Sequence, residues 1–209
     1  IYMFITKISG GLYVKTFNLN NKNILPISYS FEIESDVSEA QKRVFNHFNL
    51  EINHLFEGED ISHGRRMTKT CKKILEMPDV DVVVFFDLDC VPLSRHLYEH
   101  ILSKIDDNTI CGIEQSCESN QSVGHIYAGP ACLAFPTLAL KKLPTFSFIE
   151  DNWCDAAQRF TYDCQENDIN VNFFQLTGCE DPLWRVGFTD RYFGVGSTYD
   201  NIIYHHFLI

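Results

Sequence analysis

Two carboxylates, Asp87 and Asp89, stand either side of Leu88 just past an apolar run over residues 82–86. In extended chain, side chains two apart point the same way, so both acids share one direction. Carboxylate oxygens are the hard ligands that Mg²⁺ or Mn²⁺ takes, one or two from the protein and the rest from phosphates and water. The run before them shows no polar alternation, the pattern of a strand covered on both faces. Ligands of open α/β sheets collect outside the carboxyl ends of the strands. The pair is therefore expected to hold a divalent metal and, through it, a phosphorylated substrate; the plain alternative is two surface acids capping the next helix. Two chemistries use such a site. A metal-held nucleotide diphosphate can leave during group transfer, or Asp87 can attack a phosphoryl group as a covalent nucleophile.

A second acidic cluster lies at Asp151 and Asp155, four residues apart and so one turn apart on a helix. A carboxylate there suits a general base, which must come within hydrogen-bond reach of the proton it takes. Asp155 also has a structural explanation, since Gln158 three residues on completes a capping box for a helix over residues 155–167. Trp153, Trp184, Tyr127 and Tyr192 offer faces for a sugar ring, although aromatics more often pack in the core. His96 and His100 have the i, i+4 spacing of a metal pair but no third ligand nearby, and an exposed helix face is favoured.

The elements that must position these groups read as an α/β pattern. Residues 2–8 and 12–17 form a hairpin around Ser9-Gly10-Gly11, and residues 18–23 a polar connector. Strands are expected at 30–34, 52–56 and 80–86, with helices at 37–48 and 63–77 between them. That alternation argues for a largely parallel sheet. Further on, a helix is expected at 93–105, a strand at 109–114, one or two strands around Gly129-Pro130 over 126–135, and strands at 170–175 and 201–208. Mixed connectivity there implies antiparallel edges and an inserted binding region.

At 209 residues the chain suits one domain, with residues 1–24 as a hairpin extension. Net charge is −11, and long nucleic acid is an unexpected partner for so acidic a surface. The densest basic cluster, Arg65, Arg66, Lys69, Lys72 and Lys73, falls on one helix and reads as a solvated face. Eight cysteines without CxxC spacing read as reduced, core-forming thiols of a cytoplasmic protein. No apolar run reaches membrane-spanning length, and residues 1–8 lack the flanks of a signal peptide. A chain opening on Ile1 instead of Met suggests that residues before it were removed.

Taken in order, these features resemble a small GT-A-fold glycosyltransferase. Glu34-Ser35-Asp36 stands at a strand end, His63-Gly64 opens a helix, and Asp81 to Pro92 gives an apolar strand, a DxD element and a nearby Pro. Tyr127-Ala128-Gly129-Pro130 is similar to the segment under the donor sugar, Glu150-Asp151 with Asp155 to the acceptor side, and Tyr204-His205-His206-Phe207 to a terminal strand returning a His to the metal. The resemblance implies a mixed, mostly parallel sheet flanked by helices, and a hexosyltransferase that moves a sugar from a nucleotide diphosphate, a UDP-sugar first, to a hydroxyl acceptor. It implies Asp89 as direct metal ligand, Asp87 at the donor ribose and metal shell, and His205 as third ligand. Adjacent strand residues face opposite ways, so only one of His205 and His206 can serve. Glu34, Ser35 and Asp36 would line the nucleoside pocket. His63 and Gly64 would approach a ribose or phosphate through the backbone at a helix N-terminus. Arg66 would neutralise the diphosphate, Leu88 and Gly129 would border the donor, and Asp151 would be the favoured base.

Two rivals keep the same acids. Residues 85–89 also resemble the first motif of haloacid-dehalogenase-like phosphatases, with Ser116, Lys141 or Lys142 and the late acids completing the set. That reading departs at Cys90, where Gly is usual, and leaves over eighty residues without a role. A noncatalytic nucleotide- or carbohydrate-binding module is the third possibility.

Overall fold

The computed structural model describes residues 3–8, 12–30, 36–56, 61–117 and 124–207. The chain opens with β1 (Met3–Ile8), β2 (Leu12–Leu19) and β3 (Lys22–Ser30), then α1 (Asp36–His47), β4 (Asn53–Phe56), α2 (His63–Ile74) and β5 (Val82–Phe86). It continues through β6 (Cys90–Pro92), α3 (Leu97–Lys104), β7 (Thr109–Ser116), β8 (Ile126–Pro136), α4 (Thr137–Lys142), α5 (Gln158–Glu166) and β9 (Asn170–Phe174). Five short strands close it: β10 (Leu176–Gly178), β11 (Asp181–Arg185), β12 (Tyr192–Val195), β13 (Ser197–Tyr199) and β14 (Ile203–His205).

One eight-stranded mixed sheet organises the molecule, in the order β1-β2-β3-β5-β8-β7-β9, with β4 added on β3. β3 runs parallel to β4 and β5, and β7 parallel to β9, while β8 is antiparallel to both its neighbours. Every residue of β5 is buried, because helices cover both faces. Val83 and Phe85 enter the cluster that includes Met67, Cys71 and Ile74 of α2 and Phe160 of α5. Val82, Val84 and Phe86 enter the opposite cluster, with Phe45 of α1 and Leu97, Tyr98 and Ile101 of α3. Truncating such a buried Phe to Ala costs roughly 3–5 kcal/mol.

Three of the expected segments differ in the structure for physical reasons, while the helices expected at 63–77 and 93–105 are trimmed to 63–74 and 97–104. The polar segment 18–23 is not a connector: β2 runs into β3 through Asn20-Asn21, both with positive φ (52° and 63°). That is the two-residue hairpin geometry whose twist matches the strands, and Asn tolerates it. The first parallel strand is accordingly β3, upstream of the expected 30–34, and residues 31–34 lie outside the described ones. Pro26 hides β3 from propensity rules, since proline cannot donate to a ladder; here the Asn53 side chain donates to the Pro26 carbonyl at 2.8 Å. The expected helix at 155–167 begins only at Gln158, after Ala157 in left-handed conformation (φ 64°). Half of the expected box survives, because Gln158 Oε1 accepts from the Asp155 N–H at 2.8 Å. Asp151 and Asp155 therefore do not share a helical face. Among the described residues no helix is long and apolar enough to cross a membrane.

Candidate active site

Beyond Phe86 the chain turns at once. Asp87, Leu88, Asp89 and Cys90 form a tight turn, closed by the Cys90 N–H donating to the Asp87 carbonyl at 3.0 Å. The Asp87 N–H donates to Ala131 on β8 (3.0 Å), and the Asp89 carbonyl accepts from the His206 N–H (3.1 Å). β6 then pairs antiparallel with β14, placing Cys90 opposite His205. This register brings a residue from the last strand against the turn. His205 Nε2 lies 3.0 Å from Asp89 Oδ1 and 4.0 Å from Asp87 Oδ2. His206, one residue on, turns away, its Nδ1 3.1 Å from the Tyr204 hydroxyl.

One ligand atom from each of Asp87, Asp89 and His205 lies within 4.8 Å of the other two. In an octahedral shell with bonds of ~2.1 Å, neighbouring ligands stand roughly 3 Å apart and opposite ones roughly 4.2 Å. The separations from His205, 3.0 and 4.0 Å, fall within that span, and the three residues could hold a divalent ion. Burial works against the Asp89 carboxylate, but the hydrogen bond from His205 and its charge outweigh that and hold Asp89 below the usual carboxylate range. Metal and proton would compete for the same direction on these groups.

The His63 side chain joins the cluster from the N-terminus of α2. Its Nε2 lies 3.3 Å from Asp87 Oδ1, close enough for electrostatic attraction but off the line of a hydrogen bond. Ser28 Oγ, at the carboxyl end of β3, and Ser62 Oγ, just before α2, are buried without hydrogen-bond partners. Buried polar atoms normally find one, which makes these two exceptions.

On the other side of His205 lies a cleft of about 610 Å³, lined by Gln115, Ser116, Cys117, Asp155, Leu183, Trp184, Phe193 and Phe207. Phe207 connects the two regions, with its ring centroid 3.8 Å from that of His205 and 5.7 Å from that of Trp184. Asp155 accepts a hydrogen bond from the Tyr127 hydroxyl at 2.8 Å and one from the Ala156 N–H. Burial, together with the Asp155 carboxylate, raises the Tyr127 phenol well above its usual range and keeps it a donor.

The structure gathers only part of the expected set. Glu34 and Ser35 lie outside the described residues; Asp36 is exposed at the start of α1. Leu88 sits half-buried in the turn. Gly64 does not turn its bare backbone to a ligand: a Cβ there would stand 2.0 Å from the Phe148 carbonyl oxygen, so α2 needs Gly to pack. Gly129 is likewise filled from within, by Gln115 and Ile113 of β7. Arg66 is fully buried and belongs to no solvated face, whereas Arg65, Lys69 and Lys72 are exposed.

Asp151 is exposed and accepts from the Trp153 and Cys154 N–H groups at 2.7 Å, a turn-closing role away from the cleft lining. These bonds also hold its carboxyl below the usual range. His100 pairs with Asp200 at 2.7 Å. The phosphatase partners are not assembled: Lys142 binds Asp107 and Asn108, and Ser116 bonds the Arg185 carbonyl and Gly187 N–H.

Sequence reasoning missed Gln41, joined to the turn by two hydrogen bonds, and His54, which bonds the Gln41 side chain. The signal was a polar residue on the apolar face of α1, four residues before Phe45, because a fully buried polar side chain is the informative exception in a core.

This sheet with its flanking helices is a GT-A-type glycosyltransferase fold, and Asp87 and Asp89 form a DxD-like group placed, with His205, where a metal could be held. No sequence-family model matches the chain, and no curated protein sequence does. Solved structures match. A Drosophila β1,4-galactosyltransferase 7 mutant, in complex with manganese, UDP-Gal and xylobiose, aligns with a TM-score of 0.53 at 12% identity, over 89% of this chain and 71% of that one. The mannosyltransferase PcManGT from Pyrobaculum calidifontis, in complex with GDP-Man and Mn²⁺, gives 0.47 at 11% identity, over 72% of this chain and 54% of that one. A197 from STIV gives 0.45 at 13%, over 73% and 81%.

Proposed function

We propose that this chain is a divalent-metal-dependent glycosyltransferase that moves a hexosyl group from a nucleotide diphosphate, with UDP-sugars as first candidates, to a hydroxyl acceptor. The observation that carries this is the convergence of Asp87, Asp89 and His205 beyond the carboxyl end of β5. Two carboxylate oxygens with one imidazole nitrogen favour Mn²⁺ over Mg²⁺, since nitrogen ligands suit the transition metals better. The galactosyltransferase of the same fold was solved with manganese and a UDP-sugar. A metal held here would neutralise charge developing on the departing diphosphate.

The chain's own groups do the rest. Asp87 and Asp89 orient the diphosphate end of the donor. His63, Ser28 and Ser62 offer polar contacts on the nucleotide side. The aromatic cleft takes the acceptor, with Trp184 and Phe207 as ring-stacking faces. Asp155, held by Tyr127, removes the acceptor hydroxyl proton as its oxygen attacks the anomeric carbon and the diphosphate departs. Asp151 gives way to Asp155 in this reading because only Asp155 lines the cleft.

Thermal stabilisation by UDP-sugars, with and without Mn²⁺, tests the proposal. Stabilisation that needs both, followed by turnover of that donor, is the expected result. Phosphomonoester hydrolysis lost in Asp87→Asn would replace this reading with the phosphatase, and donor binding without turnover would reduce it to a binding module.

A further inference from the structure

The structure assigns Gln41 and His54 a joint role as a clamp on the Asp87–Cys90 turn, which positions the two carboxylates that the turn carries. The clamp serves a metal site, and in that respect it rests on the glycosyltransferase reading above.

Gln41 is 1% exposed, on the face of α1 that packs into the core. Its Nε2 lies 2.6 Å from the Asp87 carbonyl oxygen and 2.8 Å from the Cys90 carbonyl oxygen. Carbonyl oxygens only accept, so the amide nitrogen must face them and Oε1 must face the other way. There His54 Nε2 lies 2.7 Å from Oε1. That oxygen is an acceptor, so Nε2 carries the proton. Burial, with the Lys42 charge nearby, lowers His54 to about 4 and keeps the ring neutral with that tautomer. Both N–H groups and the oxygen of the carboxamide are thus engaged, each in one orientation.

The turn is consequently held at both ends. The Asp87 carbonyl receives two donors, the Cys90 N–H that closes the turn and Gln41. The Cys90 carbonyl, at the other end, receives the second Gln41 N–H. Between these fixed points the side chains at the first and third positions project toward His205. An amide free to flip would present its oxygen to two carbonyl oxygens, and the peptide planes of the turn would rotate away. His54, on edge strand β4, prevents the flip. A ligand set displaced by even ~0.5 Å loses affinity, so a support of this kind acts on binding without touching the ion.

The test uses the full chain in two measurements. Amide hydrogen exchange at Cys90, without metal, reads the turn; Mn²⁺ titration followed by electron paramagnetic resonance reads the ligand set. Gln41→Met keeps the side-chain size and removes both donors. It should raise Cys90 exchange at least tenfold and weaken Mn²⁺ binding by about tenfold. His54→Leu should move both readouts the same way by less. His54→Gln, which restores an N–H near the place of Nε2, should return both toward wild type. Far-UV circular dichroism sets the temperature at which all variants are folded; if Gln41→Met is not, the His54 pair carries the test.

Cys90 exchange unchanged in Gln41→Met and His54→Leu would overturn the clamp whatever the metal does. A wild type that ignores Mn²⁺ while Cys90 exchange still responds would remove the metal reading and leave the clamp standing. Failure of His54→Gln to restore what His54→Leu loses would overturn the part given to His54.

Discussion

The two sides of the Asp87–Cys90 turn are built on different principles. Toward β3 and β5 the strands are covered, and Gln41, on the core face of α1, and Ser28 are buried. Toward β11 and β12, the supports are short hairpin strands with exposed or half-exposed faces, and Leu183 and Tyr192 stand in solvent. The hairpin is tied to β7 by a forked pair between Arg191 and the buried Glu114, one arm of it 2.6 Å. In the proposed reading the buried side supports the metal set and the half-exposed side faces the second substrate. Variants on either side should therefore fail in different ways.

The largest separation should come from Asp89→Ala. Losing a direct ligand should abolish Mn²⁺-dependent donor stabilisation, a loss beyond the ~100-fold that supporting residues produce. The same thermal-shift series checks it, and an unchanged Mn²⁺ response would remove the central assignment. Asp155→Asn should do the reverse, lowering kcat by about 10²- to 10⁴-fold, the usual weight of a general base, with donor affinity intact. Steady-state kinetics against donor binding would show whether the two sides are separable; a parallel loss of both would break the comparison.

Smaller effects concern stability. Arg191→Ala leaves the Glu114 carboxylate buried without its partner. Breaking a buried pair costs about 3–5 kcal/mol, and since Arg191 is 42% exposed, about 2 kcal/mol is expected in urea unfolding. If no loss appears, the hairpin is held by its aromatic contacts instead.

A further effect should be a pH dependence from the fixed side. His54 is lowered from 6.5 to about 4 by burial and the nearby Lys42. Between those values the unfolded chain binds a proton that the folded chain refuses. The contribution to stability is therefore complete above pH 6.5 and lost as pH falls toward 4. The urea midpoint of wild type should drop across that window more steeply than that of His54→Gln. Equal slopes would show that His54 titrates normally.

How much was visible in the sequence follows the same division. α1, α2 and β5 announce themselves by period and length, and the acids beyond β5 by their place past an apolar run. Strands β10 to β13 do not, each being three to five residues long without a clean alternation, whereas β14 falls inside the expected strand over 201–208. His205 reached the site through strand register, which no local pattern encodes. Asp151 is the favoured base only by resemblance and by its spacing of one helical turn from Asp155, and the chain is not helical before Gln158. Gln41 and His54 were hidden for another reason, since hydrogen bonds to main-chain carbonyls leave no trace in the identity of the residues that receive them.

His205 and Asp89 are separated by 116 positions. Chains grow at roughly 5–20 residues per second, so the carboxylates exist for roughly 6–23 s before the imidazole is made. An ion meeting the unfinished chain finds an incomplete shell and an unpaired β6. In the proposed reading, binding would favour the folded state once β14 closes against β6. The ligand set proposed here is thereby complete only once β14 has been made and paired with β6.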